Sequence, residues 1–258
     1  MARARSLALA RRLALAGALL APGSGHAATL SADLAALLRA SDPFAAAPEE
    51  ARVELAFVGA NGVEVPLEIW RKGDDRALVR FLAPKDLGKF VLRRGTDVWL
   101  LAPGARDPVK MSPALAPAGG AALEELLALR LERDYRATAA AEARGVVTFD
   151  LEAVRPGIDP PKVRWAVDRA KRRPLRAEFR TAEGIVRRLV EFKEWREGKR
   201  LEPTEVVARD VLRGGRPLTV RILAIEQRAV PEALFDLSDA TARRALPPPP
   251  PAAPAAEK

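Results

Sequence analysis

Few residues of this chain could do covalent chemistry. The 258 residues include no Cys and a single His, His26. Thiolates and imidazoles supply most nucleophile–base pairs and zinc sites, so this composition argues against both. The remaining candidates are the adjacent carboxylates Asp74-Asp75 and Glu124-Glu125, and Ser112.

The spacing of these candidates does not favour catalysis. Neighbouring residues in a strand point to opposite faces, and in a helix they diverge by about 100°. We therefore interpret the carboxylate pairs as solvated charge, and predict a protein that is not an enzyme and has no cofactor and no metal. We also interpret the basic clusters at Arg93-Arg94 and 171–173 as solvated charge. The alternative is that they bind a phosphate or an acidic partner.

The first 27 residues are typical of a cleaved secretory signal peptide. Four arginines precede a short Leu/Ala/Gly run, and small residues flank a cleavage position after Ala27. Removing those four arginines from a formal net charge of +9 leaves about +5 on the mature chain, which then has no His either. We predict a periplasmic protein that binds no nucleic acid, because the positive charge is modest and dispersed.

Most of the mature chain has the period-2 alternation of strands. Val79 and Phe81 alternate with Arg80, and comparable segments recur between tight turns such as Asn61-Gly62 and Arg94-Gly95. No strand–helix–strand alternation occurs. The pattern predicts a mainly β fold with some α, a curved antiparallel half-barrel of about 10–11 strands.

Two amphipathic helices are predicted beside the sheet. Residues 31–40 form one, capped by Ser31, and residues 121–133 form the other. The second is expected to be a lid, with Leu123, Leu126 and Leu127 on its apolar stripe. We expect one domain over residues 28–240 and a Pro/Ala-rich disordered tail over 241–258.

The inward face of the sheet is the predicted binding site. A sheet this wide can enclose room for a ligand when it curves, although a solid core is the alternative. The predicted lining residues are Leu55, Phe57, Leu67, Ile69, Val79, Phe81, Phe90, Leu92, Trp99, Phe149, Trp165, Phe179 and Phe192.

Several of these segments resemble a known family. Residues 79–84, Gly88, the run Asp97-Val98-Trp99-Leu100, 174–177 and Phe235 together resemble the outer-membrane lipoprotein-sorting proteins of Gram-negative bacteria. That family is related to the LolA/LolB-like periplasmic lipoprotein carriers. The resemblance implies a half-barrel with a helical lid whose cavity takes acyl chains. This chain departs from the family at Leu101, where members usually have Tyr.

The resulting expectation is a monomeric periplasmic carrier. It would bind the acyl chains of lipoproteins or lipids for transfer to the outer membrane, with an inner-membrane transporter as a possible partner. The first alternative is a non-catalytic sensor or accessory subunit of an envelope lipid-export transporter that uses the same half-barrel. The second is an enzyme that acts on envelope lipid or glycan with carboxylates alone.

Overall fold

The computed structural model describes residues 30–43, 48–59, 62–105, 107–111, 129–196, 202–212, 214–238, 241–244 and 246. The predicted signal peptide, the lid leucines Leu123, Leu126 and Leu127, and the tail from residue 247 lie outside these ranges. The lid, the N-terminus and the tail from residue 247 therefore remain predictions. The predicted start of the tail at residue 241 was wrong, because Thr241–Arg244 form a helix and Leu246 packs against an apolar cluster.

Thirteen strands and three short helices make up the described part of the chain. The strands are β1 (Glu50–Val58), β2 (Glu64–Lys72), β3 (Arg76–Phe81), β4 (Phe90–Arg94), β5 (Asp97–Leu101), β6 (Val109–Met111), β7 (Tyr135–Ala143), β8 (Val146–Ala153), β9 (Lys162–Asp168), β10 (Arg173–Arg180), β11 (Val186–Arg196), β12 (Glu202–Asp210) and β13 (Leu218–Gln227). The helices are α1 (Ala32–Ala40), α2 (Leu131–Asp134) and α3 (Thr241–Arg244). Two 3-10 helices, Pro84–Asp86 and Glu232–Phe235, complete the list.

All thirteen strands belong to one open antiparallel sheet. Their order is β6-β5-β4-β3-β2-β1-β13-β12-β11-β10-β9-β8-β7, so the first and last strands pair at its centre. The predicted fold class is confirmed, and the count of 10–11 strands was low. The alanine-rich edge strand β7 has no alternation of large apolar residues, so its sequence does not resolve it as a separate strand.

The main hydrophobic core lies on the concave face. Ile69 of β2 and Phe149 of β8 belong to the same buried cluster, although six strands separate theirs in the sheet. One continuous apolar face therefore runs across the strands between them, and the Asp74 ion pair with Arg133, just before edge strand β7, joins the β2–β3 turn to the other flank of the curved sheet. Its concave face therefore collects the inward side chains of both halves of the chain.

Helix α1 packs across part of this concave face. Ser31 caps it, since the Leu34 N–H donates to Ser31 Oγ at 3.3 Å, and the helix ends at Ser41. Leu37 is buried in the core, and Leu34 and Leu38 pack against it. The predicted helix over residues 31–40 is confirmed. It covers the sheet because its leucines recur every three to four residues.

A second apolar cluster covers the convex face of β2–β5. Trp70, Leu78, Leu92 and Trp99 lie opposite one another on successive strands. The chain after β13 packs over them with five apolar side chains: Val230, Leu234, Phe235, Leu237 and Leu246. Hydrogen bonds fix its first part, hereafter the C-terminal strap (residues 228–238). Lys72 Nζ donates to the Val230 carbonyl at 3.1 Å, and the Val230 N–H donates to Glu50 Oε2 at 2.6 Å.

Charged pairs cover other parts of the convex face. Arg164 of β9 donates to both carboxylate oxygens of Asp150 on β8, at 2.7 and 3.1 Å. Beside the apolar cluster, Glu68 is fully buried and pairs with both Arg52 and Arg80. Among the described residues, the β2–β5 half of the sheet thus has an apolar cluster on its convex face as well as a concave face.

Candidate functional site

Ten of the thirteen predicted lining residues meet on the concave face. They are Leu55, Phe57, Leu67, Ile69, Val79, Phe81, Phe149, Trp165, Phe179 and Phe192. The other three, Phe90, Leu92 and Trp99, belong to the convex cluster under the C-terminal strap. Their predicted place beside Val79 and Phe81 was wrong. The residues of β4 that alternate with Phe90 and Leu92, namely Val91 and Arg93, lie on the side of Val79 and Ala77.

The concave face has a closed half and a more open half. Phe149, Trp165 and Phe179 are fully buried beneath α1. Trp165 Nε1 donates to Ser41 Oγ at 3.0 Å, and the Phe192 ring packs edge-on against the Trp165 ring, with their centroids 5.5 Å apart. This half is a packed core.

The more open half lies on β1–β3. Phe57, Val65, Val79 and Phe81 share the concave face with buried Leu67, yet each is only partly buried. Apolar side chains that a packed core would cover therefore remain partly accessible here. This apolar floor, defined by Phe57, Val65, Val79 and Phe81, is the candidate site for a hydrophobic ligand.

An arginine cluster lies at the far end of the same strands. Arg71 follows Val65, Leu67 and Ile69 at every second position of β2, and it is buried. Arg71, Arg130 and Arg133 all pair with Asp74, the first two at 3.6 and 3.2 Å. The prediction treated Asp74 as solvated charge. The alternation along β2 already placed Arg71 on the inward face.

Burial and the charges of neighbouring side chains shift the pKa values of Arg71 and Asp74 in this cluster. Burial, together with the charges of Arg130 and Arg93, lowers the pKa of Arg71 to about 10 against the opposing effect of Asp74. Burial alone would raise the pKa of Asp74. Hydrogen bonding to Arg133 and the charges of Arg130 and Arg71 outweigh this effect and hold that pKa below its usual range. Arg71 and Asp74 are therefore both charged at neutral pH.

The exposed apolar side chains are concentrated at one end of the sheet. Among the described residues, nine large apolar side chains are exposed, and seven lie in or beside the connections at the end where β1 finishes and β2 begins. They are Val63, Leu87, Val109, Val154, Ile185, Val211 and Leu212. Val154 donates its N–H to the Asp134 carbonyl and so lies beside the arginine cluster; the other six are hereafter the apolar rim. The remaining two of the nine, Leu175 and Leu223, lie within strands. The described turns at the opposite end, such as 73–75 and 169–172, carry none.

No group of three or more His, Cys, Asp or Glu side chains in the described ranges could hold a metal ion. The described helices also include none that is long and apolar enough to cross a bilayer. The site is therefore built from an apolar floor, an arginine cluster and an apolar rim.

Solved structures share this fold. A LolA superfamily protein from Nitrosomonas europaea superposes with a TM-score of 0.62 at 18% identity, covering 78% of this chain and 96% of that one. A DUF1329 family protein from Desulfovibrio piger gives 0.57 at 16% identity, covering 80% and 97%. An outer membrane lipoprotein-sorting protein domain from Vibrio parahaemolyticus gives 0.54 at 17% identity, covering 79% and 94%.

A family model described as "-like: Uncharacterized protein" matches residues 73–239, well over half of the chain. The chain belongs to the family that this model describes, and its fold is LolA-like. The resemblance seen at 79–84 and 97–100 is thereby confirmed. A search of curated proteins finds no match. In this chain, the apolar floor lies on the concave side of the open LolA-like sheet.

Proposed function

We propose that this LolA-like protein is a periplasmic carrier that holds the acyl chains of a lipoprotein or lipid on its apolar floor for transfer to the outer membrane. The observation that carries the proposal is the partial exposure of Phe57, Val65, Val79 and Phe81, which lie together on the concave face of β1–β3. The mechanism is exchange between apolar environments, without covalent chemistry.

The energetics suit reversible binding. Burying one methylene gains roughly 0.8 kcal/mol, so a chain of about fourteen gains on the order of 11 kcal/mol as an upper bound. Ordering the cargo and displacing the covering segments offset much of that gain. A net affinity well below the upper bound allows the carrier to release its cargo at a second membrane.

The apolar rim supports transfer at a membrane surface. Five of the six connections at that end of the sheet carry or adjoin a rim side chain, for example Ile185 between β10 and β11 and Leu212 between β12 and β13. Apolar tips on several neighbouring turns can enter the outer layer of a bilayer together. The rim lies at the same end as Phe57, Val65 and Phe81, so it would bring the apolar floor close to the lipid.

Native mass spectrometry of the protein purified from its own envelope tests the proposal. We expect co-purifying lipid, and at least a several-fold loss of it in Val79→Trp, which fills the apolar floor. Leu223→Trp adds the same ring at an exposed strand position and is the matched control. A wild-type protein that carries no lipid but stays bound to a membrane partner would favour the accessory-subunit alternative.

A further inference from the structure

The turn between β9 and β10 carries three consecutive cations, Lys171, Arg172 and Arg173, hereafter the basic turn. Lys171 and Arg172 are exposed, and Arg173 is half-buried. In the described part of the chain none of the three side chains forms an ion pair, whereas neighbouring Arg169 has two carboxylate partners. The adjacent Asp168 carboxylate accepts from the Lys171 backbone N–H at 2.9 Å. The charges of the basic turn therefore remain available to a ligand.

Arg172 places the basic turn on the concave side of the sheet. Its Nη2 donates to the Ala36 carbonyl at 3.5 Å, and Ala36 belongs to α1, which packs across the concave face. A ligand that lies on the concave face thus meets the basic turn where it leaves the core.

Trp195 of β11 lies beside the basic turn because its strand is irregular. Three positions separate Trp195 from Phe192, so in a regular strand the two side chains would lie on opposite faces. The β11–β12 register shifts on both sides of Glu194, and the two rings stack with their centroids 5.8 Å apart. Bulges of this kind redirect side chains next to functional sites. Trp195 therefore packs against the concave core, where it is only partly buried.

The Arg173 guanidinium lies over the Trp195 ring, with its Cζ atom 5.9 Å from the ring centroid. A guanidinium that stacks on a ring through its face keeps the N–H groups at its edge for an acceptor. Phosphate and carboxylate match that edge through two parallel hydrogen bonds. Because the ring already holds the guanidinium, less side-chain freedom is lost when an anion binds.

An apolar row connects this corner to the apolar floor. Phe57 of the floor pairs with Val220, Val220 pairs with Val206, and Val206 pairs with Phe192, all on the concave face. Three strand spacings make the row about 14 Å long, and the stacked Trp195 ring extends it. Its last three members are buried, so an acyl chain follows the row only by displacing the segments that cover it. The row has the length and polarity that suit an acyl chain ending in a charged head.

We propose that Arg173, stacked on Trp195 and supported by the charge of Lys171, binds the anionic head group of the cargo, a phosphate or a carboxylate. The acyl chain of that cargo extends toward the apolar floor. This inference rests on the carrier function proposed above and adds the chemical class of the cargo. The carrier thereby prefers acidic amphiphiles to zwitterionic amphiphiles with the same acyl chain.

The test is calorimetric titration of delipidated full-length protein with soluble ligands, so that no membrane surface is present. Myristoyl lysophosphatidylglycerol and myristoyl lysophosphatidylcholine, both below their critical micelle concentrations, share the acyl chain and differ in net charge. Glycerol 3-phosphate has the phosphate without the chain. We expect the acidic lysolipid to bind about tenfold more tightly than the zwitterionic one, and glycerol 3-phosphate to bind far more weakly than either.

Arg173→Gln should remove the preference for the acidic lysolipid and leave binding of the zwitterionic one unchanged. Lys171→Gln, at an exposed position, should reduce the preference in part and serves if Arg173→Gln does not fold. Arg144→Gln removes an exposed arginine from the neighbouring β7–β8 turn and is the matched control, expected to bind like wild type.

The outcomes separate this inference from the carrier function. Equal binding of the two lysolipids, or an equal loss of preference in Arg144→Gln, would overturn the head-group assignment and leave the carrier function standing. Binding of neither lysolipid would overturn both proposals. Glycerol 3-phosphate binding as tight as the acidic lysolipid would indicate a site for free phosphate and overturn the cargo assignment.

Discussion

Trp165 Nε1 donates a hydrogen bond to Ser41 Oγ at 3.0 Å, deep in the concave core. The Ser41 hydroxyl in turn donates to the Leu38 carbonyl in the last turn of α1, at 2.9 Å. The pair joins β9, the third strand from one edge of the sheet, to the end of the helix that covers it. Both groups are buried, so each needs the other as its partner.

Ser41→Ala should therefore loosen α1. The Trp165 indole N–H would be left without its acceptor, which costs about 1–3 kcal/mol of unfolding free energy. We expect a lower denaturation midpoint and faster amide hydrogen exchange in α1 than in β9. Ser238→Ala, which removes an exposed hydroxyl, is the control. If the effects of Ser41→Ala and Trp165→Phe simply add in the double variant, the two groups are not coupled.

Large-to-small substitutions on the two faces of the β2–β5 half should have opposite effects on stability and on lipid affinity. Leu92 is fully buried under the C-terminal strap, so Leu92→Ala should cost about 2–5 kcal/mol of stability and leave lipid affinity unchanged. Phe81→Ala removes a half-buried ring from the apolar floor and should weaken lipid binding with a smaller loss of stability. Urea denaturation and lipid titration of both variants measure this contrast. Equal effects on lipid affinity would contradict the assignment of the two faces.

The apolar rim predicts association with membranes. Ile185→Asp and Leu212→Asp should each reduce co-sedimentation with phospholipid vesicles by about tenfold, because burying one such side chain contributes about 1.5–3 kcal/mol. Leu223→Asp introduces the same charge at an exposed strand position away from the rim and should bind vesicles like wild type. Loss of vesicle binding in the control as well would show that added negative charge, rather than rim insertion, is responsible.

Acid stability provides a test of the Asp74 ion pairs. Because the folded-state pKa of Asp74 is lowered, its stabilising contribution is complete above the unfolded pKa of about 3.9 and is lost as the pH falls through the lower folded-state value. The Tm of the wild type should fall more steeply below pH 4 than the Tm of Asp74→Asn. Asp75→Asn, an exposed neighbour in the same turn, is the comparison. Parallel curves for wild type and Asp74→Asn would contradict the prediction.

Local patterns in the sequence predicted the strands, the turns and α1 well, because alternation and turn residues are properties of neighbouring positions. They did not predict the face of Phe90, Leu92 and Trp99. Alternation shows which residues share a face, but β4 and β5 carry apolar residues on both faces. The strap residues that bury the convex side, such as Phe235, are more than a hundred positions away. Arg71 was missed because a charge in an apolar row was taken as the end of that row.

The pairing of β1 with β13 has a consequence for how the sheet assembles. Each flank of the sheet is a meander of consecutive strands, so each can fold through contacts between near neighbours in the sequence. The join between the flanks cannot form from near neighbours, since Ala51 must pair with Gln227, 176 positions later in the sequence. The pairing of β1 with β13 in the middle of the sheet is thus the last to form, and shortening either of these two strands would separate two half-sheets.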